Sequence, residues 1–468
     1  MIESFNPATA ETLARYEEHD GSAVEKRLAK AAAAQRQWSL RPVAERAHLL
    51  QRVAGVLRRN APAYARTITL EMGKPLTEAL AEIEKCAWNF DFYAAKSTAF
   101  LADSVVTSSA SDSRIVYDPL GLVLAVMPWN YPFWQVMRAA APVLAGGNGM
   151  VLKHAGNVPQ CAQALQQVFV EAGLPDGLFT TLLVGAAAVP ALIADARIAA
   201  VTFTGSTPVG RRIAALAGQA LKKQVLELGG SDPFIVLADA DISAAAAAGV
   251  KSRFHNTGQS CISAKRFIVE ASVADYFVEL FCALTQKLVV GDPLQAATTL
   301  GSMARISLRD ELHAQVLATV AQGARLLLGG KPVDATGAFY EPTVLDHVTP
   351  GMTAATEETF GPAAAILRVA NPEEAVRIAN NTEFGLGAAL WTSDPDRARR
   401  LSRQIEAGAV FVNGMVASDP RLPFGGSKQS GYGRELGALG LQEFTNIKTV
   451  WTGPVLTAPV LTDPVRAA

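Results

Sequence analysis

From Gly121 onward, the sequence alternates short apolar runs with segments of helical composition, and this alternation limits the possible folds more than any other feature. Apolar runs such as 122–127, 149–153 and 200–204 are each followed by a stretch rich in helix-forming residues. A strand–helix–strand order predicts a parallel sheet with helices on both faces. The alternation starts again at 233–237, and 468 residues are too many for one hydrophobic core. The sequence therefore predicts an α/β fold with two doubly wound parallel-sheet domains.

The parts of the chain outside this alternation differ in composition. Residues 22–100 are mainly alanine, leucine and charged residues, which predicts helices interrupted at Pro42, Pro62 and Pro75. The segment 101–117 is rich in serine, valine and threonine, which favours an extended strand or hairpin. The helical part shows no pattern that indicates chemistry.

The turn at 204–210 is the candidate phosphate-binding element. The usual Gly-x-Gly-x-x-Gly fingerprint is absent from the sequence. In its place, Thr204-Gly-Ser-Thr-Pro-Val-Gly210 has the pattern of a strand end, a tight polar turn and a helix start, whose free backbone amides can bind a pyrophosphate. Ser-Thr-Pro is also an ordinary helix N-cap, so the turn alone leaves both interpretations open.

Cys261 is the candidate nucleophile. It lies between the polar, glycine-containing stretch 254–260 and the apolar run 267–269, which predicts a thiol at the edge of a loop. A thiol in such a place can meet a substrate. An isolated cysteine is more often a small buried hydrophobic residue, and the loop by itself does not decide between the two interpretations.

Glu227 is the candidate general base. It is a lone carboxylate flanked by leucines in Val225-Leu-Glu-Leu-Gly-Gly-Ser-Asp-Pro233, and two glycines follow that allow the backbone to approach a ligand closely. Apolar surroundings raise the pKa of a carboxyl group toward the range useful for proton transfer from a thiol or from water. The alternative is an exposed glutamate on a half-buried strand.

Charge and cysteine usage limit the class of partner and the compartment. Lys and Arg total 42 against 43 Asp and Glu, so the net charge of −1 offers no attraction for nucleic acid or an anionic membrane. The four cysteines are scattered, without a Cys-x-x-Cys pair or a histidine at metal-ligand spacing. No stretch holds eighteen uninterrupted apolar residues, and the N-terminus lacks a leader pattern. These features predict a reduced, metal-free, cytoplasmic protein whose partner is a small molecule.

Six motifs in order give the sequence a resemblance to a known family. They are Pro-Trp-Asn-Tyr-Pro at 128–132, Phe-Thr-Gly-Ser at 203–206, Glu-Leu-Gly-Gly at 227–230, Gly-Gln-Ser-Cys at 258–261, Glu-Glu-Thr-Phe-Gly-Pro at 357–362 and Pro-Phe-Gly-Gly at 423–426. Together they resemble the ordered motif set of the aldehyde dehydrogenase superfamily and extend over nearly the whole chain. Further stretches, such as Leu-Lys-His-Ala at 152–155, are most similar to the bacterial succinate semialdehyde dehydrogenase group.

The resemblance implies NAD- or NADP-dependent oxidation of an aldehyde to an acid. In the family, the residue matching Cys261 forms a thiohemiacetal and then a thioester, and the residue matching Glu227 activates the hydrolytic water. The side chain matching Asn130 and the backbone amide of the cysteine stabilise the oxyanion. The implied substrate is succinate semialdehyde, with glutarate semialdehyde or a neutral aliphatic aldehyde as alternatives. A catalytically silent binding protein would lack one of these three residues, and a coenzyme-A-acylating enzyme would lack Glu227.

The resemblance also implies a set of cofactor-binding residues: Trp129, Lys153, Gly205, Ser206, Leu228, Glu358 and Phe360. Lys153 matches a lysine that reaches the adenosine ribose, and Glu358 and Phe360 match the pair that holds the nicotinamide ribose and ring. Many NAD-preferring members carry glutamate three residues after the lysine, but here that residue is Gly156. Glycine neither attracts nor repels a 2′-phosphate, so NAD and NADP both remain open, with NAD slightly favoured. No metal is expected.

Arg138 is the candidate for binding the distal end of the substrate. It lies eight residues beyond Asn130 on an apolar helix, where a buried arginine needs an acidic partner. Either a carboxylate of the protein or one of the ligand can serve, and the resemblance favours the ligand. Ser418 also matches a substrate-carboxylate contact. Some members carry a second arginine where this chain has His255, which is expected to titrate near neutrality and to bind a carboxylate more weakly.

The resemblance completes the predicted domain organisation and assembly. Residues 1–100 and 120–228 form a Rossmann-like cofactor-binding domain, and residues 229–425 form the catalytic domain. The segments 101–119 and 426–457 form a small β oligomerisation arm, followed by a mobile tail at 458–468. In the family, the first arm segment pairs with the C-terminus of another subunit, so a homodimer or homotetramer is expected.

Overall fold

The computed structural model describes residues 1–333 and 336–453. The N-terminal part consists of a β-hairpin and four helices: β1 (Ile2–Phe5), β2 (Thr12–Tyr16), α1 (Gly21–Ser39), α2 (Val43–Arg59), α3 (Ala61–Met72) and α4 (Leu76–Phe100). The four helices agree with the predicted ones to within a few residues. The hairpin was not predicted, because its strands of four and five residues are too short to show an alternating pattern.

The first large sheet follows the predicted alternation. Its region contains β3 (Ser104–Val105), β4 (Asp112–Pro119), β5 (Leu122–Met127), α5 (Trp134–Ala145), β6 (Gly149–His154), α6 (Pro159–Glu171), β7 (Phe179–Thr181), α7 (Val189–Ala194), β8 (Ile198–Thr204), α8 (Thr207–Gln219) and β9 (Lys223–Glu227). Five of these strands form a parallel sheet in the order β9-β8-β5-β6-β7. This is the predicted Rossmann-like sheet.

The second large sheet repeats the architecture. Its region contains β10 (Asp232–Val236), α9 (Ile242–Phe254), β11 (Ala264–Glu270), α10 (Ala271–Thr285), α11 (Ile306–Ala321), β12 (Arg325–Leu328), β13 (Thr343–Asp346), α12 (Thr353–Thr356), β14 (Ala363–Val369), α13 (Pro372–Asn380), β15 (Phe384–Gly385), β16 (Gly387–Trp391), α14 (Pro395–Ser402) and β17 (Ala409–Val412). The strand order is β12-β13-β14-β11-β10-β16-β17, and every neighbouring pair except β12 with β13 is parallel.

The C-terminal part connects the two sheets and forms a third. It contains β18 (Ser427–Lys428), β19 (Gly431–Tyr432), α15 (Gly437–Gln442) and β20 (Thr445–Thr452). β18 pairs with β15, and β19 pairs antiparallel with β9 at the edge of the first sheet. β20 pairs antiparallel with β4 along eight residues, and β3 lies on the other side of β4.

This pairing corrects one expectation from the sequence. The segment 101–119 was expected to pair with the C-terminus of another subunit, whereas β4 pairs with β20 of the same chain. Both strands have eight residues that match in register without a break, so one chain satisfies their backbone hydrogen bonds. Residues 454–457 of the predicted arm and the predicted tail at 458–468 lie outside the described residues.

Each large sheet is covered by helices on both faces. In β5, Val123 and Ala125 pack against α2 to α6, while Leu122 and Leu124 pack under α1, α7 and α8, as the two-residue period of a strand requires. The second sheet has α9 and α10 on one face and α11, α13 and α14 on the other. These layers confirm the predicted fold class, whereas the predicted domain boundaries stay a prediction. Within 1–333 and 336–453, every helix is too short or too polar to cross a membrane.

Candidate active site

The candidate catalytic residues meet outside the carboxyl ends of the first sheet, where open α/β sheets usually bind their ligands. β5 ends just before Trp129 and Asn130, and β8 ends just before Gly205. β9 ends at Glu227 itself. The connection back into the second sheet brings Cys261 to the same region, because its loop immediately precedes β11.

Cys261 lies where two cavities meet. The larger cavity has a volume of about 750 Å³ and is lined by Trp129, Gly205, Ser206, Leu228, Glu358 and Phe360, which are six of the seven predicted cofactor residues. The smaller cavity has a volume of about 220 Å³ and is lined by the predicted substrate residues Arg138, His255 and Ser418. Cys261 lines both cavities. The structure therefore places the candidate nucleophile between the two predicted ligand sites.

The loop before Cys261 has an unusual backbone that its neighbours stabilise. Asn256 and Thr257 have φ values of 56° and 54°, in the left-handed region that few side chains occupy. The Asn256 side chain donates to the carbonyl oxygens of Asn130 (2.8 Å) and Gln259 (3.0 Å). Asn130 Nδ2 also donates to Gln259 O at 3.1 Å. These hydrogen bonds fix the predicted oxyanion donor against the nucleophile loop.

Two buried cations, Arg253 and Lys265, donate hydrogen bonds to backbone carbonyls of the same loop. Arg253 donates to the carbonyl oxygens of Gly258 (2.7 Å) and Gly361 (2.5 Å), and Lys265 Nζ donates to those of Ser260 (3.1 Å) and Cys261 (2.9 Å). A Cβ atom on Gly258 would lie 2.3 Å from Gly361 O, so only glycine permits this approach. The loop that carries Cys261 is thereby tied to the loop that carries Glu358 and Phe360.

Burial raises the pKa of both candidate catalytic groups. Desolvation raises the pKa of the Cys261 thiol to about 12, although the positive charges of Arg138 and Lys265 lower it. The thiol is therefore protonated at neutral pH and needs a proton acceptor. Desolvation and the neighbouring carboxyl group of Glu435 raise the pKa of Glu227, as its leucine neighbours predict. Both carboxyl oxygens of Glu227 are buried without a hydrogen-bond partner among the described residues, so no neighbour stabilises the charged form, and the group is a strong base when ionised.

Arg138 has the acidic partner that a buried arginine requires. Its guanidinium contacts the carboxylate of Glu435, and both side chains are almost fully buried. Burial raises the pKa of Glu435, while the charge of Arg138 and its hydrogen bond lower it. Nη2 of Arg138 is buried without a hydrogen-bond partner within the described part of the chain. Arg138 therefore contacts a carboxylate of the protein, and the residue also lines the smaller cavity.

His255 and Ser418 line the smaller cavity beside Arg138. His255 Nδ1 lies 3.1 Å from the Tyr131 hydroxyl. Burial lowers the pKa of His255 to about 4, so the ring is neutral at pH 7 instead of titrating near neutrality as expected from the sequence. Ser418 Oγ accepts a hydrogen bond from Lys85 Nζ at 2.7 Å. Lys85 lines this cavity as well, and the sequence analysis did not identify it.

The larger cavity has the features that a dinucleotide needs. α8 begins beside it at Ser206, whose side chain forms no cap hydrogen bond, so backbone amides of the first turn are free to bind phosphate. At the opposite end, Glu358 Oε1 accepts a hydrogen bond from Gly230 N at 3.1 Å. A Cβ atom on Gly229 would lie 2.4 Å from Glu358, so glycine permits their close contact. The residues present therefore fit a nicotinamide dinucleotide.

Lys153, the seventh predicted cofactor residue, is not among the residues that line the larger cavity. It is in β6, opposite Val126 of β5, and so lies near the carboxyl ends of the strands, on the same side of the sheet as the cavity. Burial lowers the pKa of its ammonium, while the charge of Glu18 raises it. Gly156 faces open space, since no atom lies within 4 Å of the position of a Cβ atom. The space at Gly156 therefore accommodates a group of either charge.

Two residues of the candidate site were not predicted, because their signals depend on tertiary structure. Glu435 lies in a segment that was assigned to the oligomerisation arm, and only the pairing of β19 with β9 brings it near Glu227. Lys85 follows Glu78 and Glu82 in α4 at spacings of four and three, so all three lie on one face of the helix. This polar face on a mostly buried helix was a signal that the sequence analysis did not use.

Comparisons with known proteins agree with this geometry. Residues 1–450 match the sequence model described as the aldehyde dehydrogenase family. A Synechocystis protein named probable NADP⁺ succinate-semialdehyde dehydrogenase is 49% identical over 450 residues, covering 96% of this chain and 99% of that protein. An Escherichia coli K12 protein named NAD(P)⁺ succinate semialdehyde dehydrogenase is 50% identical over 448 residues, covering 96% and 97%. The crystal structure of succinic semialdehyde dehydrogenase from Streptococcus pyogenes with NADP⁺ is 36% identical, with a TM-score of 0.94 and coverage of 97% and 100%.

The contacts of Arg253 generate a prediction about stability. Arg253→Met leaves the carbonyl oxygens of Gly258 and Gly361 without their buried donor, so we expect a loss of about 3 kcal/mol or more in the free energy of unfolding. The measurement is the urea midpoint of the purified protein. Lys251→Met, on the exposed side of the same helix, is the matched control. Equal midpoints for the two variants would contradict the structural role of Arg253.

Proposed function

Since the chain belongs to the aldehyde dehydrogenase family and is an NAD(P)-dependent enzyme, we propose that it oxidises succinate semialdehyde to succinate. The family confirms the resemblance inferred from the six motifs. The main support for the proposed substrate is the position of Cys261, between a dinucleotide-sized cavity and a smaller cavity lined by cationic side chains. The names of the similar proteins support the same substrate.

The first chemical step forms a bond between Cys261 and the aldehyde carbon. Glu227, whose pKa is raised by burial, accepts the thiol proton directly or through a water molecule. The sulfur then attacks the carbonyl carbon, and the C=O electron pair moves to the oxygen, giving a thiohemiacetal anion. The Asn130 side chain and the Cys261 backbone amide donate hydrogen bonds to that oxygen. This anion loses its aldehyde hydrogen as a hydride and becomes a thioester.

Six residues around the larger cavity hold the cofactor: Trp129, Gly205, Ser206, Leu228, Glu358 and Phe360. Lys153 contributes from the same edge of the sheet. The bound NAD or NADP supplies the hydride acceptor. We propose no metal, because the chemistry of Cys261 and Glu227 needs none.

The second chemical step hydrolyses the thioester. Glu227 first releases the thiol proton to solvent and then removes a proton from water, the resulting hydroxide attacks the thioester carbon, and the C–S bond breaks. The sulfur leaves as a thiolate and regains a proton from the Glu227 carboxyl group. The overall reaction consumes one aldehyde, one oxidised cofactor and one water molecule, and yields one carboxylate, one reduced cofactor and two protons.

Arg138 and Ser418 are the proposed contacts for the distal carboxylate of the substrate. Arg138 lines the smaller cavity, and its buried Nη2 has no hydrogen-bond partner among the described residues, although its charge is partly offset by Glu435. Ser418 lines the same cavity. His255 is neutral and contributes a polar contact without a charge.

The preference between NAD and NADP depends on the charges and the space near Lys153 and Gly156. The open space at Gly156 and the nearby Lys153 accept a 2′-phosphate, whereas Glu18 near Lys153 opposes one. Two similar proteins are named for NADP⁺ and for NAD(P)⁺. We therefore propose that the enzyme uses both, and the slight preference for NAD stays a prediction. The decisive measurement is kcat/KM for each cofactor.

Initial rates test the proposed function directly. Succinate semialdehyde, glutarate semialdehyde, betaine aldehyde and a neutral aliphatic aldehyde are compared, each with NAD and NADP. The highest kcat/KM is expected for succinate semialdehyde. A higher value for one of the other aldehydes would reassign the substrate, and the absence of any aldehyde oxidation would favour a catalytically silent binding protein.

A cytoplasmic location and a homo-oligomeric state complete the proposal. The four cysteines are unpaired, which agrees with a reducing compartment. The three-stranded sheet carries exposed apolar side chains, including Val105 (70% exposed), Ile447 (59%) and Trp451 (55%). An exposed apolar strand in a monomer promotes aggregation, and pairing with another copy removes that hazard. We propose a dimer or tetramer that buries this sheet.

Replacing the nucleophile is expected to separate binding from chemistry. Cys261→Ala removes the sulfur that forms the covalent bond, so aldehyde oxidation is lost while the cofactor still binds. Activity and cofactor binding are measured on the same preparation. Turnover at the rate of the unmodified enzyme would show that another group is the nucleophile.

Replacing the base is expected to affect hydrolysis most. Glu227→Gln keeps the size of the side chain but cannot accept a proton, so the thioester accumulates. Rapid mixing of enzyme, aldehyde and cofactor is expected to give a burst of reduced cofactor followed by slow turnover. If hydrolysis of the thioester proceeds at the normal rate, another group activates the water.

Arg138→Met is expected to lower the activity on an aldehyde that carries a carboxylate. Loss of a charge-assisted hydrogen bond costs about 1.5–3 kcal/mol, which lowers kcat/KM for succinate semialdehyde by about ten- to a hundred-fold. A neutral aldehyde of similar length serves as the control and is expected to lose less, because only the effect of Arg138 on the pKa values of Cys261 and Glu227 is common to both aldehydes. Equal losses for the two aldehydes would assign Arg138 a structural role through Glu435.

The assembly prediction is tested by a double substitution on the exposed sheet. Ile447→Glu with Trp451→Glu places charge on the proposed contact, so the molar mass from light scattering is expected to fall. Leu221→Glu, at an apolar position that is 95% exposed outside this sheet, is the control. An unchanged molar mass in the double variant would place the subunit contact elsewhere.

A further inference from the structure

We propose that Lys85 determines the specificity for an anionic aldehyde, because its ammonium, held against Ser418, receives the distal carboxylate of the substrate. This inference rests on the proposed function and adds to it a residue that supplies net positive charge. Lys85 is in α4 and lines the smaller cavity together with Cys261. It is half-buried, so its ammonium is partly shielded from solvent.

The contacts of Lys85 leave it able to bind a ligand. Nζ donates to Ser418 Oγ at 2.7 Å and lies 4.5 Å from the centre of the Trp134 ring. A lysine ammonium has three N–H donors, and Ser418 uses one of them. The Ser418 hydroxyl accepts this bond and can donate its own hydrogen to the same carboxylate. Lys85 and Ser418 therefore form a pair of donors facing one cavity.

The carboxylates nearest to Lys85 are occupied by other partners. Glu82 accepts hydrogen bonds from the amides of Phe133 and Trp134 and pairs with Lys74. Within the described ranges, no carboxylate oxygen lies within 4.0 Å of Lys85 Nζ. The positive charge of Lys85 is therefore not neutralised by an ion pair.

Asp419, directly after Ser418, is occupied in the same way. It accepts two side-chain hydrogen bonds from Arg421, at 2.9 and 2.6 Å. The same arginine stacks over Trp88 and stays on the outer side of α4. Because Asp419 pairs with Arg421, the ammonium of Lys85 remains available for hydrogen bonds to a ligand.

The other charged groups around the smaller cavity supply little net positive charge. Glu78, which also lines it, is acidic, and burial raises its pKa to about 7. Arg138 pairs with Glu435, so this pair is close to neutral as a unit. His255 is neutral at pH 7, because burial lowers its pKa to about 4. Lys251 is exposed to solvent. Lys85 is thus the shielded cation whose charge a substrate carboxylate would balance.

Electrostatics explain why this arrangement selects anions. A cation taken out of water without a partner is destabilised, and desolvation accordingly lowers the pKa of Lys85 to about 8. A bound carboxylate restores an ion pair with charge-assisted hydrogen bonds. A neutral aldehyde leaves the ammonium unpaired and gains nothing from it.

Kinetics of Lys85 variants test the inference. Lys85→Met keeps the length of the side chain and removes its charge, so we expect kcat/KM for succinate semialdehyde to fall about ten- to a hundred-fold, mainly through KM. For butanal, a change below about threefold is expected. Lys85→Arg is expected to restore part of the preference for succinate semialdehyde. Lys96→Met, an exposed substitution on the same helix, is the control and is expected to match the unmodified enzyme.

The outcomes distinguish this inference from the function on which it rests. If the unmodified enzyme has the same kcat/KM for butanal and for succinate semialdehyde, the proposed substrate class is wrong, and the proposed role of Lys85 is wrong too. If the unmodified enzyme prefers succinate semialdehyde and Lys85→Met keeps that preference, only the role of Lys85 is wrong. Equal losses on both aldehydes would also overturn it, since they indicate a structural defect.

The pH dependence supplies a second readout. The groups that act on Lys85 are Glu82, Cys86, Arg138 and Asp419. Because the lysine is protonated below its pKa, the ratio of kcat/KM for succinate semialdehyde to that for butanal is expected to fall as the pH rises through about 8. Glu78 lines the same cavity and burial raises its pKa to about 7, so its titration is present in Lys85→Met as well and is subtracted by comparing the two proteins. The ratio cancels titrations of Cys261 and Glu227, which affect both aldehydes. A ratio that is equally pH-dependent in Lys85→Met would overturn the inference.

Discussion

Buried cations that donate to backbone carbonyls hold the active-site loops, and the remaining features of the site depend on them. Arg253 and Lys265 fix the loop of Cys261, and Arg253 joins it to the loop of Glu358. Arg266, the next residue in β11, donates to Ser231 O and to the last carbonyls of α13. Carbonyl oxygens at loop and helix ends otherwise lack partners, so these donors allow irregular backbone to be buried between the two sheets.

The same burial gives the catalytic groups their reactivity. Water is excluded from Cys261 and Glu227, which raises the pKa of both, so the thiol holds its proton more tightly and the ionised Glu227 carboxylate is a stronger base. Arg138 lies close enough to lower both pKa values, and Glu435 limits that effect by pairing with it. The substrate residue and the catalytic residues therefore belong to one electrostatic cluster. A change in the charge of the substrate pocket is expected to alter proton transfer as well as binding.

The sequence predicted the parts of the fold that depend on local pattern. Strand β5 has the predicted ends, because an apolar run marks it. Strand β14 was missed, because its Ala363-Ala-Ala start favours a helix and only its place between β13 and β11 makes it a strand. Among site residues, Cys261, Glu227 and Asn130 were found because each lies in a motif. Lys85 and Glu435 carry no motif, and long-range packing alone places them in the site.

The pairing of β4 with β20 has a consequence for how the chain folds. The two strands are separated by most of the sequence, and β19, which precedes β20, brings Glu435 to the first sheet. Contacts between distant parts of a chain form late, and during synthesis the C-terminal residues emerge last. A nascent chain that has completed both large sheets still lacks the acidic partner of Arg138. Until the final strands have been released from the ribosome, Arg138 therefore lacks its buried carboxylate, and an edge of β4 is open to wrong partners.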